Sequence, residues 1–185
     1  MKSSKIIAGV DEVGRGSLIG SVYSAAVILG LDSHDITGLV DSKKISEKKR
    51  IVKANNIILN SLSIAIGVAT KDEIDSLNIH HATLLSMERA IDNLCIKPDK
   101  IYIDGLHVPN ISIETEAIVK GDSKIDEISA ASIIAKVARD NEMYYIHNKF
   151  KMYNFDKNKG YGTSDHLKAI KIYGKTIYHR ESFIK

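Results

Sequence analysis

An apolar run at residues 6–10 leads directly into two adjacent carboxylates, Asp11 and Glu12, and then into an arginine between two glycines. The apolar run has the character of a buried strand, whereas the two acids need partners if they are withdrawn from water. Gly14 and Gly16 lack Cβ atoms, so a ligand could approach the backbone there closely. Carboxylates at the end of a strand are hard oxygen ligands suited to Mg²⁺ or Mn²⁺. The alternative is a core strand that ends in an ordinary charged turn.

Strands and helices are predicted to alternate along the chain, which is typical of an α/β protein. From apolar runs bounded by turn residues, strands are predicted at residues 5–13, 21–29, 63–69, 100–104 and 116–122. Helices are predicted at residues 46–59, with Ser46 as the N-cap, and at 79–94 and 126–148. A Gly-rich loop at residues 159–166 is predicted to open a short basic helix that ends at about residue 173. A short turn joins the first two strands, so antiparallel pairing is expected. A helix separates the third strand from the fourth, so a parallel crossover into the same sheet is expected.

Acidic residues recur at the ends of the predicted strands. Asp11, Asp104 and Asp122 each follow a short apolar run. Because ligand sites form where the carboxyl ends of neighbouring strands meet, we expect these three and Glu12 to form one carboxylate cluster. Four acids in one place repel each other and need cations, and oxygen-only ligands favour Mg²⁺ or Mn²⁺ over Zn²⁺. Paired divalent ions can activate a water and stabilise a leaving oxygen, so the residues predict metal-dependent phosphodiester hydrolysis.

If Asp11 and Glu12 bind the same metal ion, the strand that carries them cannot be regular at that point. Neighbours on a regular strand point to opposite faces of the sheet. The two carboxylates can therefore share a site only where the strand ends or twists. A regular strand that continued through Gly14 would count against joint metal ligation.

The composition is that of an ordinary globular protein. Of 185 residues, 44% are hydrophobic and 26% are charged. No apolar run approaches the roughly 20 residues of a membrane helix, and the apolar run near the N-terminus is too short for a signal peptide. Cys95 is the sole cysteine, which excludes an intrachain disulfide and a thiol metal cluster. We expect one domain with a small appendage, a cytoplasmic location and no contact with a membrane.

The charge is distributed unevenly along the chain. Residues 151–185 carry eight basic and three acidic side chains, whereas the remainder carries 18 basic and 20 acidic ones. An acidic body with a basic tail suits a polyanion held near carboxylate-bound metal. A solvated lysine-rich tail would give the same composition. We predict a catalytic domain at residues 1–150 and a basic C-terminal extension at residues 151–185 that contributes to substrate binding.

Seven short segments, spread nearly end to end and in the same order, resemble those of bacterial ribonuclease HII. They are Gly-Val-Asp-Glu-Val-Gly-Arg-Gly at 9–16, Asp-Ser-Lys-Lys at 41–44, Tyr-Ile-Asp-Gly at 102–105, Lys-Gly-Asp at 120–122, Ala-Ala-Ser-Ile-Ile-Ala-Lys-Val-Ala-Arg-Asp at 130–140, Lys-Gly-Tyr-Gly-Thr at 159–163 and His-Arg-Glu-Ser-Phe at 179–183. The resemblance implies a ribonuclease H-like fold for the catalytic domain: a five-stranded mixed sheet flanked by helices, with a small C-terminal helical extension.

The resemblance also implies roles for individual residues, carried over by position. The catalytic and metal-binding acids would be Asp11, Glu12, Asp104 and Asp122. The substrate-binding residues would be Gly14, Arg15, Gly16, Lys43, Lys44 and Tyr161. In this set the Gly-Arg-Gly loop contacts the 2′-hydroxyl and a neighbouring phosphate, the tyrosine ring packs on the sugar at the junction, and the two lysines contact phosphates.

Two serines depart from the pattern of the family. The family commonly has proline directly after Gly-Arg-Gly and again four residues later, where this chain has Ser17 and Ser21. Proline restricts φ and stiffens a turn, so serine is expected to make this loop more flexible. The chemistry would stay in place, whereas the precision of 2′-hydroxyl reading and the turnover could both fall.

Other polar residues in these segments have simpler interpretations. Asp140 lies within a predicted helix and is expected to be a structural acid rather than a fifth metal ligand. His107 follows Asp104 closely and could shuttle protons, or it could be a loop histidine without a role. Ser132 is expected to mark close helix packing, because no His–Asp arrangement accompanies it. Tyr161 lies between two glycines in a basic loop and is expected to be exposed.

Three functions are open from the sequence. The leading one is a Mn²⁺- or Mg²⁺-dependent endonuclease that hydrolyses the RNA strand of RNA/DNA hybrids and incises duplex DNA on the 5′ side of embedded ribonucleotides, leaving 3′-hydroxyl and 5′-phosphate ends. A DNA-directed nuclease of the same fold is the second, and the Gly-Arg-Gly and Lys-Gly-Tyr-Gly segments argue against it. A non-catalytic nucleic-acid-binding protein is the third, and the presence of all four acids argues against that. We expect the enzyme to be a monomer.

Overall fold

The computed structural model describes residues 5–30 and 45–184. The strands are β1 (Ile7–Val13), β2 (Val22–Leu29), β3 (Ser61–Ala69), β4 (Lys100–Asp104) and β5 (Glu114–Ile118). The helices are α1 (Glu47–Asn60), α2 (Lys71–Asp92), α3 (Asp126–Lys149), α4 (Phe155–Asn158) and α5 (Ser164–Tyr173). Single 3₁₀ turns occupy Gly121–Ser123, Lys151–Tyr153 and Glu181–Phe183. Two predicted phosphate contacts, Lys43 and Lys44, lie outside the described residues.

The five strands form one mixed sheet in the order β3-β2-β1-β4-β5. β1 pairs antiparallel with β2, and β2 pairs antiparallel with β3. β1 pairs parallel with β4, and β4 pairs parallel with β5. The predicted α/β class, with a five-stranded mixed sheet flanked by helices, is confirmed. β1 lies at the centre of the sheet, which explains why its sequence reads as a nearly continuous apolar run.

The two faces of β1 contact different helices. Ala8 and Val10 belong to an apolar cluster that includes Met87 and Ala90 of α2. Residues of the opposite parity face α3, where a Cβ atom on Gly9 would lie 2.2 Å from the backbone nitrogen of Ile128. Glycine at this position therefore lets the first turn of α3 rest directly on the central strand. The alternation places Asp11 on the α3 side of the sheet and Glu12 on the α2 side.

The helix α2 is interrupted at Asn78, whose backbone is not helical. Asn78 has φ +68°, and its side-chain oxygen accepts hydrogen bonds from the backbone N–H groups of His80 (2.9 Å) and His81 (3.2 Å). It therefore acts as the N-cap of the second part of the helix, which agrees with the helix predicted after this residue. The first part of the helix was not predicted. Its N-cap is Thr70, which forms a reciprocal capping box with Glu73.

Two of the acids do not lie at the strand ends where they were predicted. Asp11 lies inside β1, which continues to Val13 because β2 still pairs with it there. Asp122 lies in the 3₁₀ turn, four residues after Ile118, the last residue of β5. The β4–β5 pairing ends with Asp104 opposite Ile118, and the chain then leaves the sheet through a left-handed residue, Lys120, with φ +56°. Only Asp104 ends a strand as predicted.

Residues beyond α3 pack against its second half and against the β1–β2 connection. The shared apolar cluster contains Ile19 from that connection, Met143 and Ile146 from α3, and Tyr153 and Phe155 from the C-terminal part. The C-terminal part therefore lies beside the loop that carries Gly-Arg-Gly. The boundary at residue 150 stays a prediction. Within residues 5–30 and 45–184, no helix is both long and apolar enough to cross a membrane.

Candidate active site

Asp11 is the most buried of the predicted acids, with 5% of its surface exposed. Its Oδ1 accepts a hydrogen bond from the backbone N–H of Glu12 at 2.7 Å, and its carboxyl also bonds to the hydroxyl of Ser132 on α3. Burial raises the pKa of Asp11 well above its usual range, and the nearby charges of Glu12 and Asp104 raise it further. A bound cation would favour the ionised form at this position.

Glu12 lies on the opposite side of β1, in a depression that it shares with Arg15, Asp104 and His107. Burial raises the pKa of Glu12, the guanidinium of Arg15 acts against that rise, and the charge of Asp104 adds to it. The Arg15 Nη1 lies 3.6 Å from the Glu12 Oε1. The arginine of the Gly-Arg-Gly loop is thus paired with one of the predicted metal-binding acids.

Asp104 connects the two sides of the sheet. The β1–β4 pairing stops at Val10 opposite Ile103, so β4 ends where the two carboxylates of β1 begin. From that position the charge of Asp104 raises the pKa of both Asp11 and Glu12. β1 itself ends at Val13, and Gly14 turns away with φ +97°. The regular strand through Gly14 that would count against joint ligation is not observed.

The turn that contains Asp122 is held at the end of β4 through Gly121. The backbone N–H of Gly121 donates a hydrogen bond of 2.7 Å to the Asp104 Oδ1, which fixes the 3₁₀ turn against the end of β4. Among the described residues, however, no three histidine, cysteine or acidic side chains are arranged so that they could hold a metal ion as they stand. The chemistry of the donor set nevertheless fits a hard divalent ion, because all the candidate ligands are carboxylates. The charge of Asp104 raises the pKa of both Asp11 and Glu12, and a cation would offset that repulsion.

The Gly-Arg-Gly loop and Tyr161 lie in contact. Ser17 and Tyr161 form an isolated antiparallel bridge, and the backbone N–H of Leu18 donates a 2.9 Å hydrogen bond to the carbonyl of Gly160. A Cβ atom on Gly16 would lie 3.9 Å from the Tyr161 ring. Tyr161 is 37% exposed, in agreement with the prediction. The two segments predicted to read the substrate therefore form one continuous surface.

Ser17 and Ser21 are both hydrogen-bonded to charged side chains of α3. The Ser17 hydroxyl donates to the carbonyl of Ile19 (2.9 Å) and accepts from the Arg139 Nη2 (2.7 Å). The Ser21 hydroxyl donates to the carboxylate of Glu142 (2.8 Å). The prediction of a more flexible loop considered the backbone alone. In the structure, each serine makes side-chain hydrogen bonds that proline could not make.

Two buried arginines were not predicted to contribute to this region. Arg139 and Arg180 are both fully buried. Arg180 donates to the carbonyls of Arg15 (3.0 Å), Gly20 (2.9 Å) and Ser21 (3.2 Å), so it supports the Gly-Arg-Gly loop from beneath. Both arginines occur within segments that resemble the family, at 130–140 and 179–183. Their place in these segments could have indicated a role near the site, but an arginine considered by itself is expected to lie on the surface.

The remaining candidates have the following surroundings. Asp140 bonds to Lys136 at 2.6 Å and lies 3.6 Å from Arg50, which suits a structural acid between α1 and α3. The His107 ring packs edge-on against the His80 ring, with 4.7 Å between centroids, in the depression that also contains Glu12. Ser132 bonds to Asp11. It therefore does more than provide the close packing that was predicted for it.

Comparison with known proteins gives a consistent answer. The family model of ribonuclease HII matches residues 8–185. Ribonuclease HII of Neisseria meningitidis serogroup C is 54% identical over 179 residues, which cover 96% of this chain and 92% of that protein. Ribonuclease HII of Alteromonas mediterranea is 54% identical, covering 97% of this chain and 94% of that protein.

Solved structures share the fold. Ribonuclease H2 of Pyrococcus horikoshii superposes with a TM-score of 0.81 at 28% identity, covering 95% of this chain and 92% of that one. Ribonuclease HII of Archaeoglobus fulgidus, solved in complex with PCNA, also gives a TM-score of 0.81, at 25% identity and covering 95% and 94% of the two chains. The resemblance drawn from the seven sequence segments is confirmed. The chain belongs to the ribonuclease HII family and is a divalent-metal-dependent hydrolase with ribonuclease H endonuclease activity.

Proposed function

We propose that this enzyme hydrolyses the RNA strand of RNA/DNA hybrids and incises duplex DNA on the 5′ side of a single embedded ribonucleotide. Two observations support the proposal: the Gly-Arg-Gly loop contacts Tyr161, and Arg15 of that loop lines the same depression as Glu12 and Asp104. The loop proposed to read the sugar would therefore adjoin the acids proposed to hold metal. A strand lying there could be read and cut at the same time.

The acids proposed to hold metal and support catalysis are Asp11, Glu12, Asp104 and Asp122. A divalent ion, Mn²⁺ or Mg²⁺, would supply an activated water and stabilise the leaving oxygen. The chain would supply carboxylates from both sides of β1 and from the end of β4, and their partial withdrawal from water would strengthen their attraction to a cation. Attack by water would leave a 3′-hydroxyl and a 5′-phosphate.

The residues proposed to bind the substrate are Gly14, Arg15, Gly16, Tyr161, Lys43 and Lys44. Backbone groups of the glycine turn can reach a 2′-hydroxyl, which both donates and accepts a hydrogen bond. The exposed face of Tyr161 would pack on the next sugar on the 3′ side, where a deoxyribose leaves room for the ring. This pairing of a 2′-hydroxyl reader with a deoxyribose reader would select the RNA-to-DNA step.

The basic C-terminal extension, residues 151–185, is proposed to contribute to substrate binding. Thr163 accepts a hydrogen bond from the backbone of His166 and so begins α5 two residues after Tyr161. Lys157, Lys168 and Lys171 are exposed on this part of the protein. Phosphates on the 3′ side of the cut would lie near these lysines. We also propose that the enzyme acts as a monomer in the cytoplasm.

The decisive experiment uses a labelled duplex with one embedded ribonucleotide, beside an all-DNA duplex and a continuous hybrid of the same sequence, with Mn²⁺, with Mg²⁺ and with neither. We expect incision of the first and third substrates only when metal is present. Equal cutting of the all-DNA duplex would instead indicate a DNA-directed nuclease. Failure to cut the single-ribonucleotide duplex, with the hybrid still cut, would remove the junction-reading part of the proposal.

A further inference from the structure

Arg139 joins the two loops that are proposed to read the substrate. From its buried position on α3, its Nη1 donates to the carbonyl of Lys159 (2.9 Å), at the start of the tyrosine loop. Its Nη2 donates to the Ser17 hydroxyl (2.7 Å), directly after Gly-Arg-Gly. The guanidinium carbon also lies 5.6 Å from the centroid of the Tyr161 ring. One side chain thus contacts both loops and the ring.

The partners of this arginine are unusual for a buried charge. Within the described residues, all its hydrogen bonds go to neutral acceptors, and its Nε has no partner. Burial lowers the pKa of Arg139, and the nearby charges of Glu142 and Asp140 act against that fall without bonding to the guanidinium. A buried charge without a bonded carboxylate destabilises a fold relative to an apolar side chain of similar size. Packing alone therefore does not account for an arginine at this position.

The surrounding backbone is shaped to admit this contact. A Cβ atom on Gly14, where φ is +97°, would lie 2.2 Å from the Arg139 Nε. A Cβ atom on Gly160, where φ is +78°, would lie 2.6 Å from the Ser17 hydroxyl oxygen. Both glycines thus have backbone conformations that favour glycine and also face the bridge between the loops. Each of the two loops contributes one glycine to this close approach.

We infer that Arg139 and Ser17 act as a positioning bridge, which fixes the separation between the Gly-Arg-Gly loop and Tyr161 and so determines the preference for a single ribonucleotide over a continuous hybrid. This inference rests on the proposed roles of those two loops. A single ribonucleotide must engage the 2′-hydroxyl reader and the tyrosine on adjacent sugars at once. A continuous hybrid presents a 2′-hydroxyl at every step, so it depends less on the exact separation.

The structure offers a matched pair of serines for the test. Ser17→Ala removes the acceptor of the bridge. Ser21→Ala removes a hydroxyl that is also buried and bonded to a charged group, the carboxylate of Glu142, but that does not join the two loops. The measured quantity is the selectivity, defined as kcat/KM on the single-ribonucleotide duplex divided by kcat/KM on the continuous hybrid. The melting temperature of each variant is measured alongside.

We expect Ser17→Ala to lower the selectivity about tenfold, since small displacements of positioning groups have effects of that order or larger. Ser21→Ala should leave the selectivity within about twofold of wild type. Both variants should lower the melting temperature, and both should still cut the hybrid, which shows that they fold. Arg139→Lys should reproduce the loss of selectivity, because an ammonium keeps the charge but lacks the planar fork that spans two loops.

Equal selectivity in the two serine variants would contradict the inferred role of the bridge and leave Ser17 with a structural role only. Tyr161→Ala separates this failure from failure of the proposed function. If Tyr161→Ala lowers selectivity and Ser17→Ala does not, the bridge alone is wrong. If Tyr161→Ala has no effect on selectivity, the proposed reading of the junction is wrong and the bridge is wrong with it. In the double variant, loss of Ser17 should cause little further loss, because its effect is exerted through the tyrosine.

Discussion

The Nε2 atoms of His166 and His179 lie 3.2 Å apart in the buried part of the C-terminal region. The backbone N–H of Thr176 donates to the His179 Nδ1 (2.7 Å), so His179 carries its proton on Nε2 and donates it to His166. His166 then carries its own proton on Nδ1 and donates it to the carbonyl of Tyr161 (2.9 Å). Two neutral imidazoles therefore connect the C-terminal segment to the backbone of Tyr161.

Stability is expected to fall in mild acid. Burial and the neighbouring His166 lower the pKa of His179 to about 4, and burial also lowers that of His166. Between the ordinary histidine value of about 6.5 and about 4, the unfolded chain binds more protons than the folded one. This contribution to stability is therefore complete above about pH 6.5 and is lost as the pH falls towards 4. Urea unfolding at pH 7.5, 6.0 and 5.0 measures the change.

A matched variant isolates the histidine pair. His179→Asn should be less stable than wild type at pH 7.5 but should lose less stability on acidification, because one titrating group is absent. The raised pKa values of Asp11 and Glu12 act in the opposite direction and are present in both proteins, so they cancel in the comparison. Parallel stability curves for the two proteins would contradict this account.

Asp11→Asn and Asp104→Asn should each abolish cleavage, because a neutral amide is a poor ligand for a hard divalent ion. In the absence of metal, each variant should be as stable as wild type or more stable, since the change relieves repulsion between carboxylates. Asp92→Asn, at an exposed acid at the end of α2, is the control and should change neither property. Activity within tenfold of wild type in either site variant would exclude the assigned role.

Addition of Mn²⁺ should raise the melting temperature of the wild-type protein, because an ion that binds only the folded state stabilises it. Asp11→Asn and Asp104→Asn should lose most of this increase. Differential scanning fluorimetry across a metal titration measures the effect without any substrate. An equal increase in wild type and both variants would place the ion elsewhere.

The products of cleavage should have a 3′-hydroxyl and a 5′-phosphate, because water activated by a bound divalent ion would attack in line. A mechanism in which the 2′-hydroxyl attacks would leave a cyclic phosphate instead. Extension of the upstream fragment by a DNA polymerase distinguishes the two directly. A fragment that is extended only after its 3′-terminal cyclic phosphate has been opened and removed would contradict water attack.

Tyr161→Ala should reduce incision at a single ribonucleotide by roughly 10²-fold, on the scale of a lost positioning contact. Binding to the duplex at low salt should weaken much less, because phosphate contacts supply most of the affinity. Tyr161→Phe should retain most activity if the ring face carries the contact. Equal losses of binding and cleavage in Tyr161→Ala would mean that the ring contributes general affinity rather than positioning.

Much of the sheet and most of the helices could be predicted because their signals are local. The apolar run of β1, the Ser46 cap and the helical spacing after residue 78 each depend on residues close in the chain. The first part of α2 was missed because Ile74 is the one buried residue in its 71–77 stretch, so no helical period is visible. Asp122 was misplaced because the end of β5 is set by the length of its partner β4.

The supporting residues of the site could not be predicted for a different reason. Arg139 and Arg180 are fully buried, whereas most arginines are exposed, and nothing in their neighbourhood along the chain reveals the difference. The Arg139 partners Ser17 and Lys159 lie far away in sequence. Contacts of this kind exist only after folding, so a sequence can place such residues near a site through resemblance alone.

The helix α3 connects the loops that are proposed to read the substrate with one of the acids that are proposed to hold metal. Ser132 bonds to Asp11, and Arg139, seven residues later on the same helix, bonds to Ser17 and to the carbonyl of Lys159 in those two loops. Seven residues are close to two turns, so the two side chains leave the same face about 10.5 Å apart. The helix therefore keeps the distance between these two side chains constant. Variants in either loop should therefore change how fast or how selectively the enzyme cuts, while the nucleotide at which it cuts stays the same.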